Sequence, residues 1–87
     1  MIRIWAKTLK GHKITSNIIY ESIDNFSRET FYLHIQEICH RIDVSTPVVL
    51  NYHINNYLDF NNCSFLSRDF VEPINFDKLI IEEASIK

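Results

Sequence analysis

The chain predicts a two-layer α+β fold in which an N-terminal β-hairpin plus a C-terminal strand form a small sheet, with two helices packed on one face. Three observations carry that prediction. Residues 2–20 alternate in character around the only glycine of the sequence, Gly11. Ser27 to Ile42 repeats apolar residues at helical spacing, and Leu79-Ile80-Ile81 is a compact apolar run bounded by charges. With 87 residues there is room for one domain, 1–87, and one core. A hydrophobic content of 46 %, with six Phe, four Tyr and one Trp, separates the chain from disordered segments.

Ile2, Ile4, Ala6 and Thr8 fall on one side of a strand and Arg3, Trp5, Lys7 and Leu9 on the other. Lys10-Gly11-His12-Lys13 follows, and a tight reversal needs a residue that tolerates positive φ. Ile14 to Tyr20 is the return strand, with Ile14, Ser16, Ile18 and Tyr20 opposing Thr15, Asn17 and Ile19. The hairpin therefore covers residues 2–20. Glu21 to Phe26 connects, with Asp24 and Asn25 as turn formers.

The first helix covers 27–42. Phe31, Ile35, Ile38, Cys39 and Ile42 share one stripe, while Glu29, Gln36, Glu37, His40 and Arg41 face water. Ser27 is placed to cap it. Thr46-Pro47 is a helix start signal, and it opens a second helix over 46–58, although Val48 to Asn55 also alternates as a strand does. Phe60 to Ser64 reads as a turn. Phe65 to Ile74 reads as irregular, with one helical turn capped by Ser67, and with Phe65, Phe70 and Val71 in the core. Residues 77–83 form the third strand, antiparallel or mixed in its pairing, and 84–87 fray.

Several function classes are disfavoured by the residues present. Charges at Arg3 and Lys7 interrupt any secretory apolar region, and no apolar run reaches the ~18 residues of a membrane span, so a cytoplasmic protein with no membrane partner is expected. Cys39 and Cys63 follow no paired pattern and read as reduced thiols. His12, His34, His40 and His53 show no metal-ligand spacing, and Cys39 beside His40 points about 100° away from it on a helix. One glycine cannot build a phosphate loop, and Glu82-Glu83 alternate across a strand rather than converge. No catalytic, metal or cofactor-binding residue is assigned, no cofactor is implied, and a non-enzymatic protein is expected.

Arg3-x-Trp5-x-Lys7 is the pattern with binding character. On a strand these side chains share a face, with Lys10 and Lys13 near the turn. The face opposite the helices would be open, placing the only Trp among cations there. Aromatic and Arg side chains dominate protein interfaces, and an aromatic ring on a sheet can also stack a nucleic-acid base. The competing reading is structural: Trp5 folds over its hairpin neighbours under the Lys and Arg stems. Charge favours a protein partner. Residues 1–13 hold four cations and no acid, but the chain nets −2, too acidic for a broad phosphate-binding field. The expected function is a protein-interaction or self-associating module, with a homodimer across the uncovered face. Single-stranded nucleic-acid binding through Arg3, Trp5, Lys7, Lys10 and Lys13 is the alternative.

Thr46-Pro47, Phe65-Leu66-Ser67-Arg68-Asp69-Phe70-Val71-Glu72-Pro73 and Phe76-Asp77-Lys78-Leu79-Ile80-Ile81-Glu82 resemble a family of short uncharacterised bacterial proteins. That family similarly opens with a basic strand and closes with Phe-Asp-x-Leu-x-Ile-Glu. The likeness is confined mainly to the C-terminal half. After the Thr-Pro step those relatives are richer in Lys and Glu, which implies a helix there; this chain has Asn and Tyr instead. The resemblance implies no activity and no site residue.

Overall fold

A computed structural model describes residues 2–24 and 26–84. The elements run β1 (Ile2–Lys10), β2 (Lys13–Ser22), α1 (Phe31–Arg41), α2 (Asn51–Phe60), β3 (Asn62–Leu66), a 3-10 turn (Ser67–Asp69) and β4 (Lys78–Glu83). The four strands form one antiparallel sheet in the order β2-β1-β4-β3. The α+β class and the N-terminal hairpin agree with the sequence reading; the extra strand β3 does not.

The core lies between the helices and one face of the sheet. Ile4, Ala6, Tyr20, Cys63, Phe65, Leu79 and Ile81 from the strands are buried against Phe31, Ile35, Ile38, Cys39 and Tyr57 from the helices. Period-two alternation on β1, β3 and β4 meets the helical stripe of α1, so both periodicities end in the same apolar volume. Ile42 is partly buried at its border, and Gln36, Glu37, His40 and Arg41 face outward as expected, whereas His34 is buried. Phe26 joins the two helices, its ring 4.5 Å from Tyr57 and 5.2 Å from Phe31 by centroid.

The hairpin turns on Gly11, which takes φ +62°, and its N–H donates to Asp77 Oδ2 at 2.6 Å. A bulge then shifts the register. Leu9 pairs with Ile14 but Thr8 pairs with Ser16, which leaves Thr15 as the extra residue. Thr15 Oγ1 lies 2.7 Å from Thr8 Oγ1 and also donates to the Thr8 carbonyl at 3.3 Å, holding the bulge in place. An unbulged two-residue turn would pair Trp5 with Ile18; the bulge pairs it with Ile19 and sends Ile18 and Tyr20 to the core side. Ile14 and Ser16 consequently lie on opposite faces, which corrects the simple alternation expected for this strand. The strand also runs past Tyr20, to Ser22.

The helix boundaries move as well. Residues 28–30 are a turn, and α1 begins at Phe31 with Thr30 in the cap position. Ser27 instead closes the preceding turn, its N–H donating to Thr30 Oγ1 and its carbonyl accepting from Thr30 and Phe31. Thr46-Pro47 does not start α2. Residues 44–50 lack regular structure, with Leu50 extended (ψ 165°) and the Val48 N–H donating to the Asp69 carbonyl at 2.8 Å. Two adjacent β-branched valines disfavour a first helical turn, and that carbonyl offers an extended chain a partner. The helix therefore spans Asn51–Phe60 rather than 46–58.

Asn62–Leu66 is a strand, not the turn assigned to Phe60 to Ser64. Of the adjacent Asn61 and Asn62, Asn61 alone takes the left-handed conformation, at φ 62°, and it ends α2. Phe65 and Phe70 are buried as expected, but Val71 is 84 % exposed. Ala84 is tied by its N–H to the Arg3 carbonyl at 2.8 Å instead of fraying. The turn former Asn25 and residues 85–87 of the expected tail lie outside the described residues.

Candidate functional site: the open face of the sheet

The sheet face turned away from the helices carries Arg3, Trp5, Lys7 and Leu9 from β1. Across from them stand Ile19 and Glu21 on β2 and Glu82 and Ile80 on β4. Trp5 sits centrally, with Ile19 and Glu82 as its cross-strand neighbours. Arg3, Trp5, Ile19, Glu21 and Ala84 line a shallow recess of about 450 Å³.

Two cations of this face, Arg3 and Lys7, are already partnered. Lys7 Nζ lies 2.7 Å from Glu82 Oε1 and 3.7 Å from the centre of the Trp5 ring, which covers one side of the indole with a charge that Glu82 compensates. Arg3 Nε donates to Glu21 Oε2 at 2.7 Å. Trp5 is accordingly partly buried rather than fully displayed, whereas Ile19 beside it is 48 % exposed. The aliphatic stems of Lys7 and Arg3 do part of the work that helices do on the other face.

The structure brings together only three of the five residues singled out in sequence. Arg3, Trp5 and Lys7 share the open face; Lys10 and Lys13 pair with one another at the hairpin end, and strand alternation gives Lys10 the parity of Ile4, Ala6 and Thr8. Sequence reasoning missed Ile19, Glu21 and Glu82. Their presence depends on the Thr15 bulge and on the β1·β4 register, and neither has a local signature beyond the Thr-Ser pair after Ile14.

Two buried histidines serve the fold. Tyr20 Oη and His34 Nδ1 share a hydrogen bond of 2.9 Å, and burial pushes the Tyr20 phenol above its ordinary pKa. His53 is fully buried, stacked at 4.3 Å on Phe65, and its Nδ1 accepts the Leu50 N–H at 3.0 Å. That bond places the ring proton on Nε2, which stands 3.4 Å from Asp69 Oδ2 without the alignment of a hydrogen bond. Asp69 Oδ2 in turn accepts the Leu66 N–H at 2.8 Å. Each side chain thus reaches back to the backbone N–H that precedes its own helical turn, and the two caps meet in the interior. Desolvation by burial lowers the His53 pKa below 6.5, and the Asp69 carboxylate opposes that shift. Cys39 and Cys63 are buried free thiols, pushed up to about 12 by desolvation. Among the described residues, no group of three or more His, Cys, Asp or Glu side chains is placed to hold a metal ion.

No described helix is long and apolar enough to cross a membrane. The chain matches no protein-family model, no curated protein and no solved structure.

Proposed function

We propose that the chain is a small non-enzymatic, self-associating protein-interaction module of the cytoplasm, and that its contact surface is the open sheet face around Trp5. The observation that carries this reading is the recess formed by Arg3, Trp5, Ile19, Glu21 and Ala84, where an indole and a half-exposed isoleucine lie side by side on a face no helix covers. Aromatic anchors with charged rims are the usual centre of protein contacts. The internal pairing of Arg3 with Glu21 and Lys7 with Glu82 favours a protein over a nucleic acid, because phosphate binding would have to displace both carboxylates.

The test is the solution mass by light scattering over a concentration series at low and high salt, with a dT oligonucleotide titrated separately against Trp5 fluorescence. The expected result is association that survives high salt and weakens about tenfold or more in Trp5→Ala. Association unchanged by Trp5→Ala overturns the role of this face. Oligonucleotide binding that collapses between low and moderate salt replaces the reading with single-stranded nucleic-acid binding.

A further inference from the structure

The strand β2 ends the sheet on one side, and no described strand pairs with its outer edge. The Arg3 carbonyl accepts from Ala84 and the Leu9 carbonyl from Asp77, so the odd-numbered residues of β1 bond toward β4 and the even-numbered ones toward β2. Their partners Ser16, Ile18, Tyr20 and Ser22 therefore direct their backbone groups at β1. The N–H and C=O groups of Asn17, Ile19 and Glu21 point the other way, out of the sheet. Regular pairing begins after the bulge at Thr15, so the straight part of the edge is residues 16–22 and its midpoint is Ile19.

The opposite edge is better protected. There β3 is only five residues long and has α2 packed beside it, and the Leu66 N–H is held by Asp69. Short and capped edges are the common protection against strand addition, and β2 has little of it.

We infer that two copies of this chain pair antiparallel along β2, about a two-fold axis at Ile19, to form one continuous eight-stranded sheet. The inference rests on the proposed self-association and names its geometry. In this register the three outward residues of each copy match those of the other: Ile19 meets Ile19 of the second copy, and Asn17 meets Glu21 in both directions. Ile18 then faces Tyr20, and Ser16 faces Ser22. The register sets no like charges opposite one another, and each Glu21 arrives with its charge already shared with Arg3 and an Asn17 amide opposite as donor. Other registers are worse. A two-fold at Glu21 opposes two carboxylates, one at Tyr20 shortens the ladder and sets Glu21 against Ile19, and one at Asn17 or Ile18 draws the bulge residue Thr15 into the ladder. On the open face the pairing lines up Trp5, Ile19, Ile19 and Trp5 across four strands, with the outer two about 14 Å apart. The half-exposed Ile19 side chains are buried against each other, and Trp5 supports each from behind.

Light scattering joined to amide hydrogen exchange by NMR tests this on the intact chain. The expected wild-type result is a particle of twice 10.3 kDa that persists in high salt, with the amides of Asn17, Ile19 and Glu21 slowed about a hundredfold or more between dilute and concentrated samples. Ile19→Pro removes one outward donor and spares the β1 ladder, and Ile19→Lys sets two cations face to face; both are expected to be monomers with wild-type circular dichroism. A wild-type monomer at every concentration overturns the inference. A dimer whose three amides exchange freely, or one that survives Ile19→Pro while Trp5→Ala dissolves it, also overturns the inference and leaves the Trp5 face as the contact. Loss of the dimer in both Ile19 variants with none in Trp5→Ala upholds the edge pairing and removes the Trp5 face instead.

Discussion

The two faces of the sheet are made from the same strands, one residue out of step, and they are kept from water by different means. On the inner face Ile81, Leu79, Phe65, Ile4 and Ala6 are completely covered by helices. On the outer face their sequence neighbours Ile80, Trp5 and Lys7 are partly covered by one another and by two ion pairs. A helical layer excludes water by volume, whereas a layer of Lys and Arg stems excludes it only where each stem lies. The inner face consequently holds the stability, and the outer face leaves apolar surface such as Ile19 half exposed.

Adjacent isoleucines give the sharpest break of that comparison. Ile81→Ala is expected to cost about 2–5 kcal/mol in urea unfolding, because it empties a fully packed site. Ile80→Ala, one residue earlier on the other face, is expected to cost about 1 kcal/mol. Equal costs would mean that the outer face is packed as tightly as the core.

Thiol chemistry tests the covered side by another route. Cys39 and Cys63, with pKa values raised to about 12, are expected to react with a thiol reagent at neutral pH only as fast as the chain opens. Labelling followed by mass spectrometry should show both sites silent in buffer and both modified in urea. Rapid modification of either in buffer would place it outside the sealed layer.

A third difference is sensitivity to acid. His53 is neutral in the folded chain, its pKa lowered by burial, and regains an ordinary value near 6.5 when unfolded. Below that value the unfolded chain binds the extra proton more readily, so stability is complete above about pH 6.5 and declines as the pH falls toward the folded pKa. Melting temperatures at pH 7 and pH 5 should show this decline, and His53→Gln should reduce it while costing about 1–3 kcal/mol at pH 7 through the disturbed Leu50 cap. The smallest effect belongs to the outer face. Lys7→Met or Glu82→Gln is expected to change stability by less than about 1 kcal/mol, since that pair is partly solvated.

Where the fold was legible in sequence, period and punctuation agreed. Gly11 between alternating segments marks the hairpin, and Phe31, Ile35, Ile38 and Cys39 mark the buried side of α1. Where it was not, the deciding contact lay far along the chain. Asn62–Leu66 does alternate, with Cys63 and Phe65 inward, but the asparagine pair before it reads as a turn, and only pairing with β4 makes it a strand. The Thr46-Pro47 signal is overridden because Val48 bonds to the Asp69 carbonyl. Of the candidate site, Arg3, Trp5 and Lys7 follow from strand parity alone. Ile19, Glu21 and Glu82 depend on a bulge and on an inter-strand register, and Lys10 and Lys13 were grouped with the site by nearness in sequence rather than by face.

The strand order β2-β1-β4-β3 has a consequence for the timing of synthesis. The hairpin is complete once Ser22 has emerged, yet β1 lies inside the finished sheet and its second neighbour β4 ends at Glu83. About 60 residues separate those points, or roughly 3–12 s of translation at typical rates. Through that interval the nascent chain carries β1 with a bare inner edge, and any chaperone that attends this protein on the ribosome has that edge to shield.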